Sequence, residues 1–251
     1  MDIRNRSVEA LILKAQDYRE QDRLLTIVSA EYGPERVIAR GAKKSAGSLR
    51  SLAQPMSRAN LVLTPAKGGL CFLSEGVPEE SYFALTDPLS RYAYAAYCSE
   101  LLLSAWPAGG IQPALYALLL ATLSLLKLDE HPERTARFFE LRLLQILGLL
   151  PLLGTRCAQC GREAQGRRFL LSPQKGALLC TACGAEDASP GLSAGAVASM
   201  EQLCKLPLSR IPSLRLSPAI SAELERALAF YLDYHLEHAP QARRALKELT
   251  E

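Results

Sequence analysis

Histidine is scarce in this sequence: the 251 residues include only three, together with one tryptophan and three methionines. Three histidines leave few candidates for a general base. The sequence also lacks the residue order of a Ser-His-Asp triad, and it contains no HExxH motif, no GxGxxG loop and no paired-carboxylate motif. We therefore predict that the protein is not an enzyme.

A leader segment and long apolar runs are missing as well. The longest apolar run, residues 114–126, contains Thr122 and Ser124 and is too short to cross a bilayer. The opening residues, MDIRNRSVEALIL, lack the regions of a signal peptide. Seven cysteines without a leader indicate reduced thiols. We expect a cytoplasmic protein with no membrane partner.

Acidic residues are absent from a stretch of 23 residues, Arg36 to Arg58, which carries a charge of +6. A second stretch, Arg156 to Lys175, carries +4, so the rest of the chain carries −7 within a net charge of +3. Two basic patches on an acidic body indicate a polyanionic partner such as nucleic acid. The candidate contact residues are Arg36, Arg40, Lys43, Lys44, Arg50, Arg58, Arg167 and Arg168.

Cysteine is present in an informative pattern, because four of the seven form two Cys-x-x-Cys pairs with nineteen residues between them. These four are Cys157, Cys160, Cys180 and Cys183. The spacing is typical of a four-thiolate zinc site, in which a hairpin brings two tight knuckles together. Gly161 and Gly184 follow the pairs, where a knuckle turn favours positive φ. We predict one structural zinc per chain on a hairpin at 155–187, with four reduced cysteines or a disulfide pair as alternatives.

The first eighty residues have the pattern of short strands rich in Val, Leu and Ile. The predicted strands cover residues 8–14, 24–28, 36–39, 61–63 and 70–73. Five strands with an insertion after the third are the layout of the OB-fold, a small barrel that commonly binds single strands or oligosaccharides. An SH3-like barrel has a similar strand count and is an alternative.

The insertion contains ARGAKKSAGSLR, in which the residue order differs from that of a phosphate-binding P-loop. We interpret it as a flexible basic loop that lies along a nucleic-acid backbone, although a solvated charged loop would have the same composition. Residues 48–53 could form one or two helical turns. Only Tyr18, Tyr32 and Phe72 provide aromatic rings in this region, so we expect phosphate contacts to dominate binding and sequence preference to be small.

From residue 87 onward the alternating pattern gives way to helical periodicity. The predicted helices cover residues 87–106, 112–127, 132–148, 193–205, 218–238 and 241–249. We therefore predict an α+β protein in which an N-terminal OB-fold β-barrel, residues 1–80, is followed by an α-helical domain, residues 81–251, with the zinc hairpin inserted.

Several segments in the same order resemble a known family. They are EQDRLLTI at 20–27, Tyr32-Gly33, ARGAKK at 39–44, SLR at 48–50, LAQP at 52–55, RFFELRLL at 137–144, Leu147-Gly148 and CAQCG at 157–161. Over nearly its whole length the chain resembles the RecO family of bacterial recombination mediators. It departs at residues 240–243, where PQAR replaces a turn similar to LKSR. The cysteines are not universal in that family, so the zinc prediction depends on their spacing.

The resemblance implies binding to single- and double-stranded DNA, annealing of complementary strands, and a cytoplasmic, nucleoid-associated location. It also implies that the protein works with RecR to load RecA onto DNA coated by single-strand-binding protein. The acidic C-terminal tail of single-strand-binding protein would dock on the helical domain, where the candidate residues are Arg134, Arg137 and Arg142. Two alternatives are a zinc-braced RNA-binding or transcription-associated module, and a scaffold whose basic patches contact acidic proteins.

Overall fold

The structure is a computed structural model that describes residues 5–44, 49–83, 88–163, 168–185, 189–236, 240–244 and 246. The far end of the predicted helix 241–249 therefore lies outside the described residues. The chain divides into two compact units, one made of residues 1–99 and 106–127 and the other of residues 100–105 and 128–251. The predicted boundary between residues 80 and 81 stays a prediction.

Within the described residues of the first unit, five strands form a closed barrel. They are β1 (Arg6–Tyr18), β2 (Asp22–Ser29), β3 (Gly33–Ala39), β4 (Ser57–Pro65) and β5 (Cys71–Ser81). Strand β1 pairs with both β2 and β4, and β3 closes the barrel by a parallel pairing with β5. This is the strand order of the OB-fold, so the predicted fold is confirmed and the SH3-like alternative is wrong.

Alternation along the strands separates the barrel interior from its outer face, because successive strand residues point to opposite sides. Ala10, Ile12, Leu25 and Val37 are fully buried in the interior. Strand β5 extends eight residues past its predicted end at Leu73. Its second half is largely exposed and polar, which hides the strand in the sequence, and it is held in place by continued pairing with β4.

The segment after β3 packs against one end of the barrel. Leu52 and Ala53 are buried among the interior side chains, and the Ala53 N–H donates to the Leu49 carbonyl at 3.1 Å. This hydrogen bond has the i to i−4 spacing of a helical turn, consistent with the turn predicted at 48–53. The segment is therefore part of the barrel's core, with only its charged residues outside.

Two helices follow the barrel, α1 (Leu89–Ala105) and α2 (Pro113–Leu126). Helix α2 packs against β2, and its Tyr116 hydroxyl donates to Glu9 Oε1 of β1 at 3.1 Å. Burial of the phenol and the neighbouring Glu9 carboxylate raise the pKa of Tyr116 above its ordinary value. The outer surface of β1 and β2 is thus covered by helix near Glu9 and open farther along the strands.

The second unit combines three helices with a small sheet. Its described elements are α3 (Pro132–Ile146), β6 (Phe169–Ser172), β7 (Ala177–Cys180), β8 (Gly191–Leu192), α4 (Ala194–Lys205), a 3-10 helix (Leu208–Ser213) and α5 (Pro218–His235). The three helices pack against one another, and the sheet has the order β7-β6-β8. Among the described residues, none of the helices has the length and apolar character needed to cross a membrane.

Buried charges hold the start of α3. Asp129 accepts two hydrogen bonds from the Arg134 guanidinium, at 2.6 and 3.2 Å, and one from the Thr135 hydroxyl at 2.6 Å. One turn later, the buried Arg137 forms an ion pair with Glu140 at 2.8 Å. Removing one partner of such a pair would leave an uncompensated buried charge. The prediction that Arg134 and Arg137 receive an acidic peptide is therefore wrong, because both side chains are enclosed by the fold.

A glycine at the start of β3 allows the barrel to meet the only tryptophan. Gly33 has φ +71°, and a Cβ at this position would lie 2.9 Å from Nε1 of Trp106. The indole N–H donates to the Gly110 carbonyl at 2.8 Å, which fixes the ring in place. Position 33 therefore requires glycine for two reasons: the backbone has a positive φ there, and Trp106 leaves no space for a side chain.

We expect Gly33→Ala to destabilise the first unit more than Gly109→Ala does. Both glycines have positive φ, which costs alanine about 1–2 kcal/mol, but Gly109 has open space around its Cα. The clash with Trp106 should add about 1–3 kcal/mol at Gly33 alone. Denaturant unfolding followed by circular dichroism measures both values, and equal losses for the two variants would contradict the clash.

Candidate metal centre and nucleic-acid interface

The two Cys-x-x-Cys pairs lie at the ends of short backbone turns. In the first turn, the Gly161 N–H donates to the Cys157 carbonyl at 2.9 Å, and in the second the Gly184 N–H donates to the Cys180 carbonyl at 3.0 Å. The first turn is joined to β7 by a hydrogen bond from the Ala158 N–H to the Leu178 carbonyl at 3.0 Å. The β6–β7 hairpin thus brings the two knuckles to the same place, as the spacing predicts.

The four cysteine sulfurs lie within 4.8 Å of one another, and they form the one metal-ligand cluster found in the part of the chain that the structure describes. Cys160 Sγ and Cys180 Sγ, from different knuckles, are 3.9 Å apart. A tetrahedral zinc site with Zn–S bonds of about 2.3 Å places its sulfurs about 3.8 Å apart. The geometry therefore fits a four-thiolate metal site.

The electrostatics of the cluster also fit a cation. Burial raises the pKa of Cys157, but N–H groups of Cys180, Cys160 and Gln159 stabilise its thiolate and bring the pKa down to about 6. Hydrogen bonds from the Cys183 thiol to Cys180 and Cys160 hold its proton and raise the pKa of Cys183 to about 12. Negative charge accumulates as the sulfurs ionise, and a dication bound to all four would compensate half of it.

The two glycines of the knuckles have different roles. Gly161 has φ +70°, as predicted for a knuckle turn. The predicted positive φ at Gly184 is wrong, since its backbone lies outside the left-handed region. A Cβ at Gly184 would instead lie 3.1 Å from Leu170 Cδ1, so this glycine is needed for close packing against β6.

An exposed basic surface lies on the outer face of the barrel, away from the helix-covered part. Arg36 projects from β3, with Ile38 and Arg40 following on the same face at two-residue intervals. Thr26 pairs with Arg36 on one side and with Lys14 on the other. The strand register thus sets a row of polar and basic side chains across β1, β2 and β3.

An apolar row lies beside it on the same face. The register aligns Gln16 of β1, Leu24 of β2, Ile38 of β3 and Phe72 of β5. The Arg40 guanidinium carbon lies 3.9 Å from the centre of the Phe72 ring, a cation–π contact. We call the two rows together with Arg40 the β3 face. The sequence did not predict that Leu24 and Ile38 lie on this outer face, where Leu24 is half-buried and Ile38 is buried, although their alternation with interior residues indicates it.

The segment after Arg40 is held against the first hairpin. The Gly41 N–H donates to Asp22 Oδ1 at 2.9 Å, and the Lys43 N–H donates to the Gln21 carbonyl at 3.0 Å. The Lys43 ammonium is 2.8 Å from Asp17, and this bond lowers the pKa of the Asp17 carboxyl. Lys43 therefore contributes less free positive charge than the neighbouring exposed Lys44.

The other candidate contact residues lie elsewhere. Arg50 is exposed, whereas the Arg58 guanidinium lies within 3.2–3.7 Å of carboxylate oxygens of Glu9, Glu79 and Glu80. Because three carboxylates surround its guanidinium, Arg58 is the least available of the candidate residues for contact with a phosphate. In the second unit, Arg168 is exposed and 3.5 Å from Glu223, and Arg167 lies outside the described residues.

Comparison with known proteins agrees with this architecture. The family model "Recombination protein O N terminal" matches residues 1–82, and "Recombination protein O C terminal" matches residues 87–244. The chain is 33% identical to the DNA repair protein RecO of Moorella thermoacetica, covering 96% of this chain and 90% of the relative.

Two further relatives have the same name. The RecO protein of Symbiobacterium thermophilum is 32% identical, with 97% of each chain covered. That of Pelotomaculum thermopropionicum is 34% identical, covering 91% of this chain and 88% of the relative. With both family models matched in order over almost all of its residues, the chain belongs to the RecO family of DNA repair proteins.

Proposed function

We propose that the protein is a DNA-binding recombination mediator. It binds single- and double-stranded DNA, anneals complementary strands, and helps RecR load RecA onto DNA coated by single-strand-binding protein. Membership of the RecO family supports a role in recombinational repair. A location in the cytoplasm at the nucleoid would follow from that role.

The observation that carries the DNA-binding proposal is the β3 face. Arg36 and Arg40 project from it into solvent, with Lys44 exposed shortly after them in the chain. Phosphate neutralisation by such cations gives affinity with little sequence preference. The half-buried Leu24 and Phe72 offer apolar contact for unstacked bases, which a duplex does not present. The face is therefore better suited to single strands than to duplex.

The metal in the four-cysteine cluster is proposed to be zinc with a structural role. Cys157, Cys160, Cys180 and Cys183 would hold it through their sulfurs, and four protein ligands leave no open position for substrate. Binding of a structural zinc contributes directly to folding, so the metal would supply part of the stability of the two knuckles. The knuckles would then present the exposed cations Arg156 and Arg162 in fixed positions.

The acidic tail of single-strand-binding protein is proposed to dock on the second unit. Because Arg134 and Arg137 are buried, Arg142 is the one of the three predicted arginines that could contact the tail. It is partly exposed and donates to the Leu206 carbonyl and to Gln145 Oε1, at 2.9 and 2.8 Å. Half-buried Leu206 and partly exposed Ile146 offer apolar surface in the same region of α3 and α4. An acidic peptide with an apolar end requires this combination.

We expect the triple substitution of Arg36, Arg40 and Lys44 by alanine to weaken binding to single-stranded DNA of any sequence. Each lost phosphate contact should reduce the slope of log K against log salt by about one. The matched control removes three exposed arginines of the second unit, Arg210, Arg215 and Arg226, with the same loss of charge. Fluorescence anisotropy over a salt series measures both, and equal losses would show that net charge alone governs binding.

Annealing of two complementary oligonucleotides should be faster with the protein than without it, and ATP should make no difference. Base pairing would provide the free energy, and each unit would neutralise one backbone with its own basic patch. Repulsion between strands is screened over about 10 Å at 0.1 M salt, so the acceleration should be largest at low salt. The rate is measured with two labelled strands, and tight binding without acceleration would show that both patches hold one strand.

Protein purified without chelator should contain one zinc per chain. Cys183→Ser should lose the metal and destabilise the hairpin, whereas Cys204→Ser should keep it, because Cys204 lies outside the cluster. Zinc affinity should fall with decreasing pH, since protons compete for the same sulfurs. Elemental analysis of the parent protein and of both variants measures their zinc content. An absence of zinc from the parent protein would contradict the proposed zinc site.

A further inference from the structure

The four cysteines of the cluster differ in their exposure to solvent. Cys157 is buried, with 2% of its surface exposed, and Cys180 and Cys183 are intermediate. Cys160 is exposed. A metal-bound cysteine is a thiolate, and the thiolate is the form that reacts with oxidants. Of the four cysteines, Cys160 is therefore the most accessible to an oxidant in solution.

Cys160 also has a second sulfur within reach in the opposite knuckle. Its Sγ lies 3.9 Å from Cys180 Sγ, and a disulfide bond is about 2.05 Å long, so the two sulfurs must approach by about 1.9 Å. Cys157 is a poorer partner because it is buried, with 2% of its surface exposed.

We propose that Cys160 is an oxidation site at which peroxides convert the cluster to a Cys160–Cys180 disulfide and release the metal. The proposal rests on the zinc site proposed above. In the first step the Cys160 thiolate attacks one oxygen of hydrogen peroxide, the O–O bond breaks, and a sulfenic acid and hydroxide are formed. In the second step the Cys180 thiolate attacks the Cys160 sulfur, the S–S bond forms and a second hydroxide leaves.

The electrons and atoms balance in this sequence. Each of the two sulfurs loses one electron, and the peroxide takes both and, with two protons from solvent, becomes two water molecules. The zinc keeps only Cys157 and Cys183, half of its ligands, and would dissociate. Restoring the site requires a dithiol reductant, which reduces the disulfide, and a new zinc ion.

Release of the metal would affect the first knuckle most. Among the backbone hydrogen bonds of the described residues, this knuckle is joined to β7 through Ala158, and its other bonds are internal, such as that from the Cys157 N–H to the Arg162 carbonyl at 2.9 Å. Its cations, Arg156 and Arg162, are exposed. Oxidation would therefore remove the fixed positions of two basic side chains in the patch on the hairpin.

The experiment treats zinc-loaded full-length protein with increasing hydrogen peroxide. A chromogenic chelator follows zinc release, and mass spectrometry of differentially alkylated peptides identifies the disulfide. We expect one zinc released per disulfide formed, a Cys160–Cys180 linkage, and recovery after dithiothreitol and zinc. The control is Cys204→Ser, which removes the half-buried cysteine outside the cluster and should leave the rate of zinc release unchanged.

The outcomes separate this proposal from the one it rests on. Protein that carries no zinc before treatment would count against the zinc site itself. Protein that carries zinc but retains it while cysteines elsewhere oxidise would overturn the oxidation proposal alone. A linkage within one knuckle, Cys157–Cys160 or Cys180–Cys183, would also overturn it, as would a slower release in Cys204→Ser.

Discussion

Closure of the barrel is the constraint on which the arrangement of the first unit depends. Strand β1 must pair with β2 and β4 at once, and β3 must pair with β5, so the register of every strand is set by its neighbours. Because side chains alternate, burying Val37 and Ala39 in the interior places Arg36 and Ile38 on the outer face. The position of the basic row is thus a consequence of the packing of the core.

The same register explains why cations that look equivalent in the chain are not equivalent in space. Arg58 lies on β4 beside Glu9 and two carboxylates of β5, so its charge is balanced by acids that are far away in sequence. Lys43 meets Asp17 across the first hairpin. Arg36 and Arg40 instead share their face with polar and apolar side chains. The charge of +6 in residues 36–58 is therefore concentrated, after pairing, near the β3 face.

In the second unit, by contrast, the opposite charges near the start of α3 are paired in the interior. Asp129 and Arg134 are enclosed and hydrogen-bonded to each other, which ties the loop before α3 to the helix itself. The two knuckles instead bring four sulfurs to within 4.8 Å of one another, where a bound metal would hold them together. The proposed zinc would stabilise the hairpin through these cysteines, and the proposed oxidation acts on two of them, including Cys160, the most exposed of the four.

The sequence alone predicted the five-stranded barrel, the succession of helices, the clustering of four cysteines and the resemblance to the RecO family, because each depends on local spacing. Two Cys-x-x-Cys pairs come together whenever the residues between them form a hairpin, so their spacing alone predicts the cluster. A strand or a helix is recognised from the periodicity of its own hydrophobic residues. The family relationship is confirmed by the comparisons. The predicted DNA contacts stay predictions.

Only the tertiary structure decided which side chains are exposed and therefore available to contact a partner. Arg134, Arg137 and Arg142 stand in one helix and look alike in sequence, yet two of them are buried beside Asp129 and Glu140, and the third is partly exposed. The apolar row of Leu24, Ile38 and Phe72 likewise exists only after β2, β3 and β5 have paired. The physical reason is the same in both cases: exposure and charge pairing depend on residues distant in the chain, which folding brings together and a local pattern does not record.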